Sequence, residues 1–204
     1  MKIGGLQKVS LIDCPGKISS CIFTQGCNFR CPFCHNPELV WPHLFEPPLD
    51  NKDVLFFLWK RRNQIESVVI TGGEPTIQNG LVDFIIKVKE MGYYVKLDTN
   101  GSNPTVLEKL IEDNLIDYIA MDIKAPFEKY NSLCGIEVNL ASIRESIEII
   151  KSSSVSYEFR TTYVTSLLNE EDISKIRIFL GEKCSYKIQP FIERKEKSTT
   201  PTVV

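Results

Sequence analysis

The sequence predicts an α/β protein with a mostly parallel sheet, arranged as a partial barrel of six βα units that is open on one side. Short β-rich runs alternate with amphipathic helical stretches along the 204-residue chain, without a break in composition. Such alternation is typical of parallel strands joined by crossover helices. Eight units in about 250 residues complete a TIM barrel, so six units in a shorter chain favour a TIM-like (β/α)6 arrangement. A flat, doubly wound sheet is the alternative that the pattern leaves open.

Six runs have the composition of strands, because β-branched and aromatic residues concentrate in them. They span residues 18–24, 67–71, 93–97, 117–123, 157–164 and 186–192. The second run is mostly apolar and is followed at once by Gly72 and Gly73, which is typical of a buried strand that ends in a turn.

Helical stretches lie between these strands. Asp50 is a suitable N-cap for the first helix, and Asn103 with Pro104 is a suitable cap and first-turn pair for the third. Gly92 and Gly181 are typical helix ends. The second helix shows apolar residues at positions i, i+3, i+4 and i+7, namely Leu81, Phe84, Ile85 and Val88. The last two helices are expected at residues 140–150 and 169–180.

The composition indicates one globular domain, residues 1–192, followed by a polar and flexible tail, residues 193–204. An apolar fraction of 43% and a charged fraction of 25% exclude a disordered chain. A formal net charge of −2 gives no attraction for polyanions, so we expect neither a nucleic-acid nor a membrane partner. Because neither a membrane span nor the apolar segment of a signal peptide is evident, we expect a cytoplasmic protein.

Three of the seven cysteines, Cys27, Cys31 and Cys34, form a C-x₃-C-x₂-C cluster. In a cytosolic protein such clusters bind metal or perform redox chemistry. Zinc would need a fourth ligand, for which His35 or His43 is available. An iron–sulfur cluster ordinarily takes four cysteines, so three would leave one iron open for a substrate or cofactor. The spacing favours the open cluster without excluding zinc.

Polar or glycine-rich segments lie at the ends of the predicted strands. In parallel α/β proteins functional residues collect at the carboxyl edge of the sheet. Asp122 and Lys124 alternate with Ile123, so both side chains point to the same face. The segments are the cysteine cluster, Thr71–Pro75, Leu97–Gly101 and Met121–Lys124, together with Arg160 within the fifth strand and Gln189-Pro190 in the sixth.

In these motifs the chain resembles the radical S-adenosylmethionine (SAM) enzymes. The C-x₃-C-x₂-C spacing with Phe33 before the third cysteine is the defining motif of that superfamily, and Gly72-Gly73-Glu74-Pro75 matches its second motif. The resemblance extends from Met1 to about Phe191. Within it, three segments are similar to glycyl-radical-enzyme activases: Cys34–Glu38, Leu97–Gly101 and Met121–Lys124. The opening segments, Ile3–Lys8, Leu11–Asp13 and Phe23–Cys27, resemble anaerobic ribonucleoside-triphosphate reductase activating proteins.

The resemblance implies that Cys27, Cys31 and Cys34 hold a [4Fe–4S] cluster, whose fourth iron binds the amino and carboxylate groups of SAM. Transfer of one electron then releases methionine and a 5′-deoxyadenosyl radical, which abstracts a hydrogen atom. The implied partner is a glycyl radical enzyme, in first place anaerobic ribonucleotide reductase. A flavodoxin- or ferredoxin-type protein is the expected electron donor.

The resemblance also implies how this chain would bind SAM. Phe33 and His35 border the cluster and the adenine pocket. Gly72 and Gly73 allow the backbone to approach the ligand closely, and Glu74 accepts a hydrogen bond from the methionyl ammonium.

The remaining expected contacts involve charged residues. Asp122 and Lys124 would hold the ribose hydroxyls, and Arg160 would pair with the methionyl carboxylate, unless it is a solvated residue on the outer face. Asp98 and Asp122, with the backbone of Thr99 and Met121, would bind a monovalent cation. A structural role for Asp98 in an Asn-Gly turn is the alternative.

Other functions remain open at this point. A radical SAM enzyme acting on a small molecule, similar to 7-carboxy-7-deazaguanine synthase, typically has Asp-Thr after the third cysteine, where this chain has His35-Asn36. An activase of another glycyl radical enzyme, such as pyruvate formate-lyase, is a further possibility. A non-catalytic zinc module would leave the Gly-Gly-Glu-Pro and Asp-x-Lys segments unexplained. We expect the other four cysteines to be buried or incidental thiols; they are Cys14, Cys21, Cys134 and Cys184.

Overall fold

A computed structural model describes residues 1–193. These residues build one seven-stranded sheet with the strand order β1-β2-β3-β4-β5-β6-β7. Apart from Glu193, the predicted tail at 193–204 lies outside the described residues. The strands are β1 (Ile3–Ser10), β2 (Ser19–Thr24), β3 (Ser67–Gly72), β4 (Tyr94–Thr99), β5 (Tyr118–Asp122), β6 (Ser156–Tyr163) and β7 (Tyr186–Pro190).

The six predicted strands are present, and all of them, β2 to β7, run parallel. Each crossover leads to the neighbouring strand in the same direction, so right-handed connections place the helices on one face and curve the sheet. A doubly wound sheet would instead reverse direction at a switch point, which excludes that alternative. Because no pairing joins β1 to β7 among the described residues, the barrel is open, as the sequence predicts.

The first strand, β1, was not predicted from the sequence. It pairs antiparallel with β2 and shows two irregularities in its register. Gly4 and Gly5 weaken its strand pattern, and residues 7–9 are exposed. Its stability therefore depends on pairing with β2, which a local pattern does not reveal.

Six helices connect the strands: α1 (Asn51–Arg61), α2 (Leu81–Glu90), α3 (Pro104–Glu112), α4 (Tyr130–Cys134), α5 (Leu140–Ser152) and α6 (Glu170–Leu180). Asp50 caps α1 by accepting from Lys52 N, as predicted. Asn103 occupies the N-cap position and Pro104 begins α3, as predicted, but the Asn103 side chain makes no capping bond and instead donates to Thr76 O at 3.0 Å. None of the helices within residues 1–193 is both long and apolar enough to cross a membrane.

The two faces of the sheet have different character, because alternate residues of each strand point to opposite sides. On the convex face, fully buried residues such as Ile70, Leu97 and Phe159 pack against the helices in the main core. The concave face has only a small apolar cluster around Cys21 and Val69, and otherwise carries polar and charged side chains. The convex core therefore stabilises the fold, and the concave face is available for a site.

Candidate functional site

A cavity of about 330 Å³ opens at the carboxyl edge of the sheet. It is lined by every residue that the sequence analysis assigned to the metal cluster or to SAM. These residues are Cys27, Cys31, Phe33, Cys34, His35, Gly72, Gly73, Glu74, Asp98, Asp122, Lys124 and Arg160. The parallel topology brings them together because the carboxyl ends of successive strands meet at this edge.

The cysteine loop, residues 25–36 after β2, is anchored to the ends of two neighbouring strands. Glu74 donates its backbone N–H to Gly26 O at 2.8 Å, just beyond β3. Asn100, just beyond β4, donates its side-chain amide to Asn28 Oδ1 at 2.9 Å. These bonds hold the loop over the cavity.

The three cysteines of this loop are half-buried at the wall of the cavity. Burial raises the pKa of Cys27 to about 11 and also raises that of Cys34. A hydrogen bond from Cys134 outweighs the effect of burial at Cys31 and lowers its pKa to about 7. The Lys124 ammonium favours the thiolate form of all three, which is the form that binds metal.

The donor set fits an iron–sulfur cluster, because one loop lines the cavity with three thiols, which are the usual ligands of such clusters. Among residues 1–193, no group of three or more His, Cys, Asp or Glu side chains stands ready to hold a single metal ion. The three thiolates can lie further apart around a [4Fe–4S] cubane than around a zinc ion, because each thiolate of the cubane binds a different iron atom.

Gly72 and Gly73 are required by the backbone of the neighbouring strand. Gly72 has φ = 106°, and a Cβ there would clash with Thr24 N. A Cβ on Gly73 would clash with the carbonyl oxygen of Gly26. The close approach predicted from the sequence is therefore present, but its partner in the structure is the end of β2 and the cysteine loop.

Glu74 is held by the protein itself. Its side chain is 1% exposed, and its Oε1 accepts from Thr76 N at 3.0 Å, Thr76 Oγ1 at 2.6 Å and Thr99 Oγ1 at 2.8 Å. Its Oε2 accepts from Asn100 N at 2.7 Å. Burial raises the pKa of Glu74, although these four bonds oppose the shift. Because a carboxylate accepts about four hydrogen bonds, the geometry favours a positioning role over the expected contact with an ammonium group.

Five charged residues, which we call the charge ladder, form a chain of ion pairs with alternating sign: Lys96, Asp98, Arg160, Asp122 and Lys124. All of them except Lys96 line the cavity. Lys96 Nζ lies 2.6 Å from Asp98 Oδ1, and Lys124 Nζ lies 3.1 Å from Asp122 Oδ2. Between them, Arg160 Nη2 lies 3.0 Å from Asp122 Oδ1 and 3.5 Å from Asp98 Oδ2. Arg160 is thus on the concave face, and its alternative interpretation as an outward, solvated residue was wrong.

The ladder stabilises its own charges. Burial works against the Asp122 carboxylate, but Lys124 and Arg160 outweigh it and lower the pKa of Asp122 to about 2. The same pairing outweighs burial at Lys124 and at Arg160, whose pKa values are raised. Arg160 lies between the two carboxylates that were expected to bind a monovalent cation, so guanidinium and cation would compete for this position.

Aromatic rings border the cavity near the cysteine loop. Phe33 is buried, and the His35 ring stacks on Phe191 with 5.1 Å between ring centroids and an interplanar angle of 12°. Phe191 directly follows β7, so this contact joins the cysteine loop to the open edge of the sheet. His43 does not line the cavity and lies in a short 3₁₀ turn. This agrees with its prediction as a loop residue.

Sequence reasoning gave no role to several further residues of this region. Among them, Asp13 and Thr162 line the cavity, and Lys96 is the buried end of the charge ladder. Gln189, which was noted in the last strand without a role, also lines the cavity. Strand alternation could have identified Lys96 and Thr162, because each lies two residues from an assigned site residue, Asp98 or Arg160. Asp13 belongs to the turn after β1, and β1 itself was not predicted.

Comparison with known proteins gives evidence on the family of this chain that is independent of the cavity's geometry. The model of the Radical SAM superfamily matches residues 21–180. A protein of Methanocaldococcus jannaschii, named as a glycyl-radical enzyme activating enzyme, is 37% identical over 93% of this chain and 79% of its own length. The pyruvate formate-lyase-activating enzyme of Clostridium pasteurianum is 30% identical over 60% of this chain and 52% of its own.

The fold is also found among solved structures. The structure of anSMEcpe with bound AdoMet superposes with a TM-score of 0.65 at 17% sequence identity. The match covers 86% of this chain, which spans about half of that structure's length (52%). At this identity the likeness concerns the fold alone.

Proposed function

Because this chain belongs to the radical SAM superfamily, we propose that it is a radical SAM activase that generates a glycyl radical on a partner enzyme. As its specific partner we propose anaerobic ribonucleoside-triphosphate reductase. The observation that carries the proposal is the cavity at the carboxyl edge of the sheet, which is lined by both the three-cysteine loop and four residues of the charge ladder. The activase relatives support the reaction class, and the opening segments of the chain support the partner.

In this proposal Cys27, Cys31 and Cys34 hold a [4Fe–4S] cluster through their thiolates. When bound, the cluster and SAM supply a 5′-deoxyadenosyl radical that abstracts the hydrogen atom. In this proposal Phe33 would shield the thiolates from water, and His35 would border the adenine ring; both residues line the cavity.

The charge ladder would orient SAM in the cavity. Asp122 can accept hydrogen bonds from two ribose hydroxyls, and Lys124 remains protonated beside it because of their pairing. Arg160 can turn from the carboxylates towards the methionyl carboxylate. Gly72 and Gly73 bring the backbone to the methionyl end, and Glu74 fixes that backbone through its bonds beyond β3 and β4.

A monovalent cation near Asp98 and Asp122 enters the proposal on one condition. In the structure Arg160 bridges the Asp98 and Asp122 carboxylates. The cation would therefore bind there only when the Arg160 guanidinium turns away towards SAM. SAM affinity would then depend on Na⁺ or K⁺. An affinity that stays the same when tetramethylammonium replaces both ions would remove the cation from the proposal.

The open edge of the barrel supports a protein substrate. A radical of this reactivity requires the target hydrogen within near-contact, about 3–3.5 Å. A glycine in a loop of the partner can reach the cavity from the side between β1 and β7, which do not pair in the described residues. A flavodoxin- or ferredoxin-type protein would deliver the electron.

The test combines the reduced protein, SAM and the candidate reductase under anaerobic conditions. We expect the doublet of a glycyl α-proton in the EPR spectrum, and its collapse to a singlet when that α-carbon carries deuterium. A target-glycine-to-alanine variant of the reductase is the matched control and should give no signal. Absence of the doublet, together with multiple turnovers of a small metabolite, would contradict the activase proposal.

A further inference from the structure

Lys96 is a buried lysine of the concave face that the proposed binding of SAM does not use. Its side chain is 3% exposed, and it does not line the cavity. Its ammonium lies 2.6 Å from Asp98 Oδ1 and 5.9 Å from the centroid of the Tyr118 ring. A buried ammonium requires a partner, because removing its charge from water is costly. Among residues 1–193, Asp98 is the one ion-pair partner of Lys96.

The register of the sheet places this pair beside Arg160. Lys96 and Asp98 are two residues apart on β4, so both side chains point to the concave face. On β5, Tyr118 lies opposite Lys96 and Ala120 lies opposite Asp98. The small side chain of Ala120 leaves room for Arg160, on β6, to reach across β5 to Asp98 Oδ2 at 3.5 Å. Asp98 therefore has a cationic partner at each of its two oxygens.

We propose that Lys96 is a positioning residue that keeps Asp98 paired when Arg160 turns to the methionyl carboxylate, and that it thereby frees Arg160 for SAM. The inference rests on the proposed function, which assigns that movement to Arg160. In the structure Arg160 bridges Asp98 and Asp122. Once it turns away, Asp122 still has Lys124 at 3.1 Å. Lys96 does the same for Asp98 at 2.6 Å.

The balance of charge shows why the second lysine matters. The ladder holds three cations and two carboxylates. When Arg160 leaves, two lysines and two carboxylates remain, and each carboxylate has one partner. Without Lys96, the same movement would leave Asp98, whose side chain is 16% exposed, with no ion pair. Removing one partner of a buried pair is strongly unfavourable, so Arg160 would stay with Asp98 and SAM would bind more weakly.

A purely structural role makes a different prediction. If the pair contributes to folding alone, its loss changes the stability of the protein and leaves the SAM affinity of the folded protein unchanged. Lys96→Met and Lys96→Gln both remove the charge, so one neutral variant is available if the other does not fold. Lys96→Arg keeps the charge. Lys89→Met is the matched control, because Lys89 pairs with Asp117 at 2.8 Å and neither residue lines the cavity.

The experiment is equilibrium dialysis of SAM against the whole chain with its reconstituted cluster. We expect Lys96→Met and Lys96→Gln to bind SAM about tenfold more weakly or worse, and Lys96→Arg and Lys89→Met to stay within about threefold of the wild type. Iron content and circular dichroism establish that each variant holds its cluster and its fold.

A second arm of the experiment tests charge directly. KCl replaces tetramethylammonium chloride at constant ionic strength. We expect K⁺ to improve SAM binding more in the two neutral variants than in the wild type, because K⁺ can take the position of the missing ammonium beside Asp98. A side chain that only fills space gives no such difference.

The outcomes distinguish this inference from the function on which it rests. Wild-type SAM affinity in both neutral variants, with intact clusters, would overturn the inference alone. Weaker binding that neither Lys96→Arg nor K⁺ restores would also overturn it, because side-chain shape would then explain the effect. A wild-type protein that holds its cluster but binds no SAM would overturn the proposed function and the inference together.

Discussion

Replacing Glu74 tests whether this residue holds the site together or binds the cofactor directly. In the structure, four donors converge on its buried carboxylate, two of them backbone N–H groups beyond β3 and β4. A hydrogen bond to a charged group contributes roughly 1.5–3 kcal/mol, and such bonds do not add fully when they share one acceptor. We therefore expect Glu74→Ala to lower the free energy of unfolding by on the order of 4 kcal/mol.

Glu74→Gln tests the two oxygens of the carboxylate separately. One oxygen can keep its three contacts, but the amide nitrogen would face the N–H of Asn100, so we expect a loss of about 2 kcal/mol. For a chain of this size, 1 kcal/mol corresponds to roughly 2–4 °C in melting temperature, so Glu74→Ala should melt on the order of 10 °C lower. Glu66→Gln is the matched control: Glu66 accepts one backbone bond, from Ile18 N at 2.9 Å, in an exposed position, and should change stability by less than about 0.5 kcal/mol.

The assay is urea unfolding of the protein without iron and without SAM, under reducing conditions. A residue that acts only by binding SAM leaves this stability unchanged, because no ligand is present. Wild-type stability in Glu74→Ala, combined with a tenfold or larger loss of SAM affinity after reconstitution, would refute the positioning role and restore the direct contact.

Three further predictions concern the metal, the cofactor and the backbone. Anaerobic reconstitution should give about four irons per chain. Serine at Cys27, Cys31 or Cys34 should abolish iron uptake, and Cys184→Ser should not. Stoichiometric zinc in protein purified without oxygen would contradict the iron–sulfur cluster. Lys124→Ala should retain iron but bind SAM about tenfold more weakly or worse, because a charge-assisted contact is lost; unchanged affinity in equilibrium dialysis would show that the site is misplaced. The urea midpoint of unfolding should be lower for Gly72→Ala than for Gly16→Ala. Both positions have positive φ, but only the Cβ at position 72 would meet backbone atoms, namely those of Thr24. Equal midpoints would count against the close packing of β2 and β3.

The sequence was sufficient to predict that the three cysteines, the Gly-Gly-Glu segment and the charged residues of the strand ends meet in one site. Strand alternation and parallel topology are local and repetitive properties, so Asp98, Asp122 and Arg160 could be placed at one edge before any coordinates were known. The identity of their partners depends on distances between strands. That Arg160 bridges two carboxylates, and that Lys96 extends the ladder, becomes evident only once β4, β5 and β6 are in register.

What the sequence did not reveal has a common physical origin. β1 was missed because its stability comes from antiparallel pairing with β2, a contact that its own composition does not signal. The neighbours that the chain supplies to Glu74 and Gly73, namely Asn100 N–H and the carbonyl oxygen of Gly26, are not evident from a linear motif either. In both cases the missing information is a backbone contact between distant parts of the chain, and the expected contacts of Glu74 and Gly73 with SAM stay predictions.

The open barrel explains how one sheet can combine a stable core with a highly charged site. A closed barrel fills its interior with large apolar side chains, and unpaired charges there would carry a heavy desolvation cost. In this protein β6 turns Phe159 and Thr161 towards the helices, where both are fully buried, and Arg160 and Thr162 towards the cavity. Alternation along each strand thus separates stability from chemistry residue by residue. Because the ladder pairs its own charges and the open side admits water, the concave face can hold them without a closed apolar interior, and a large partner can approach the same side.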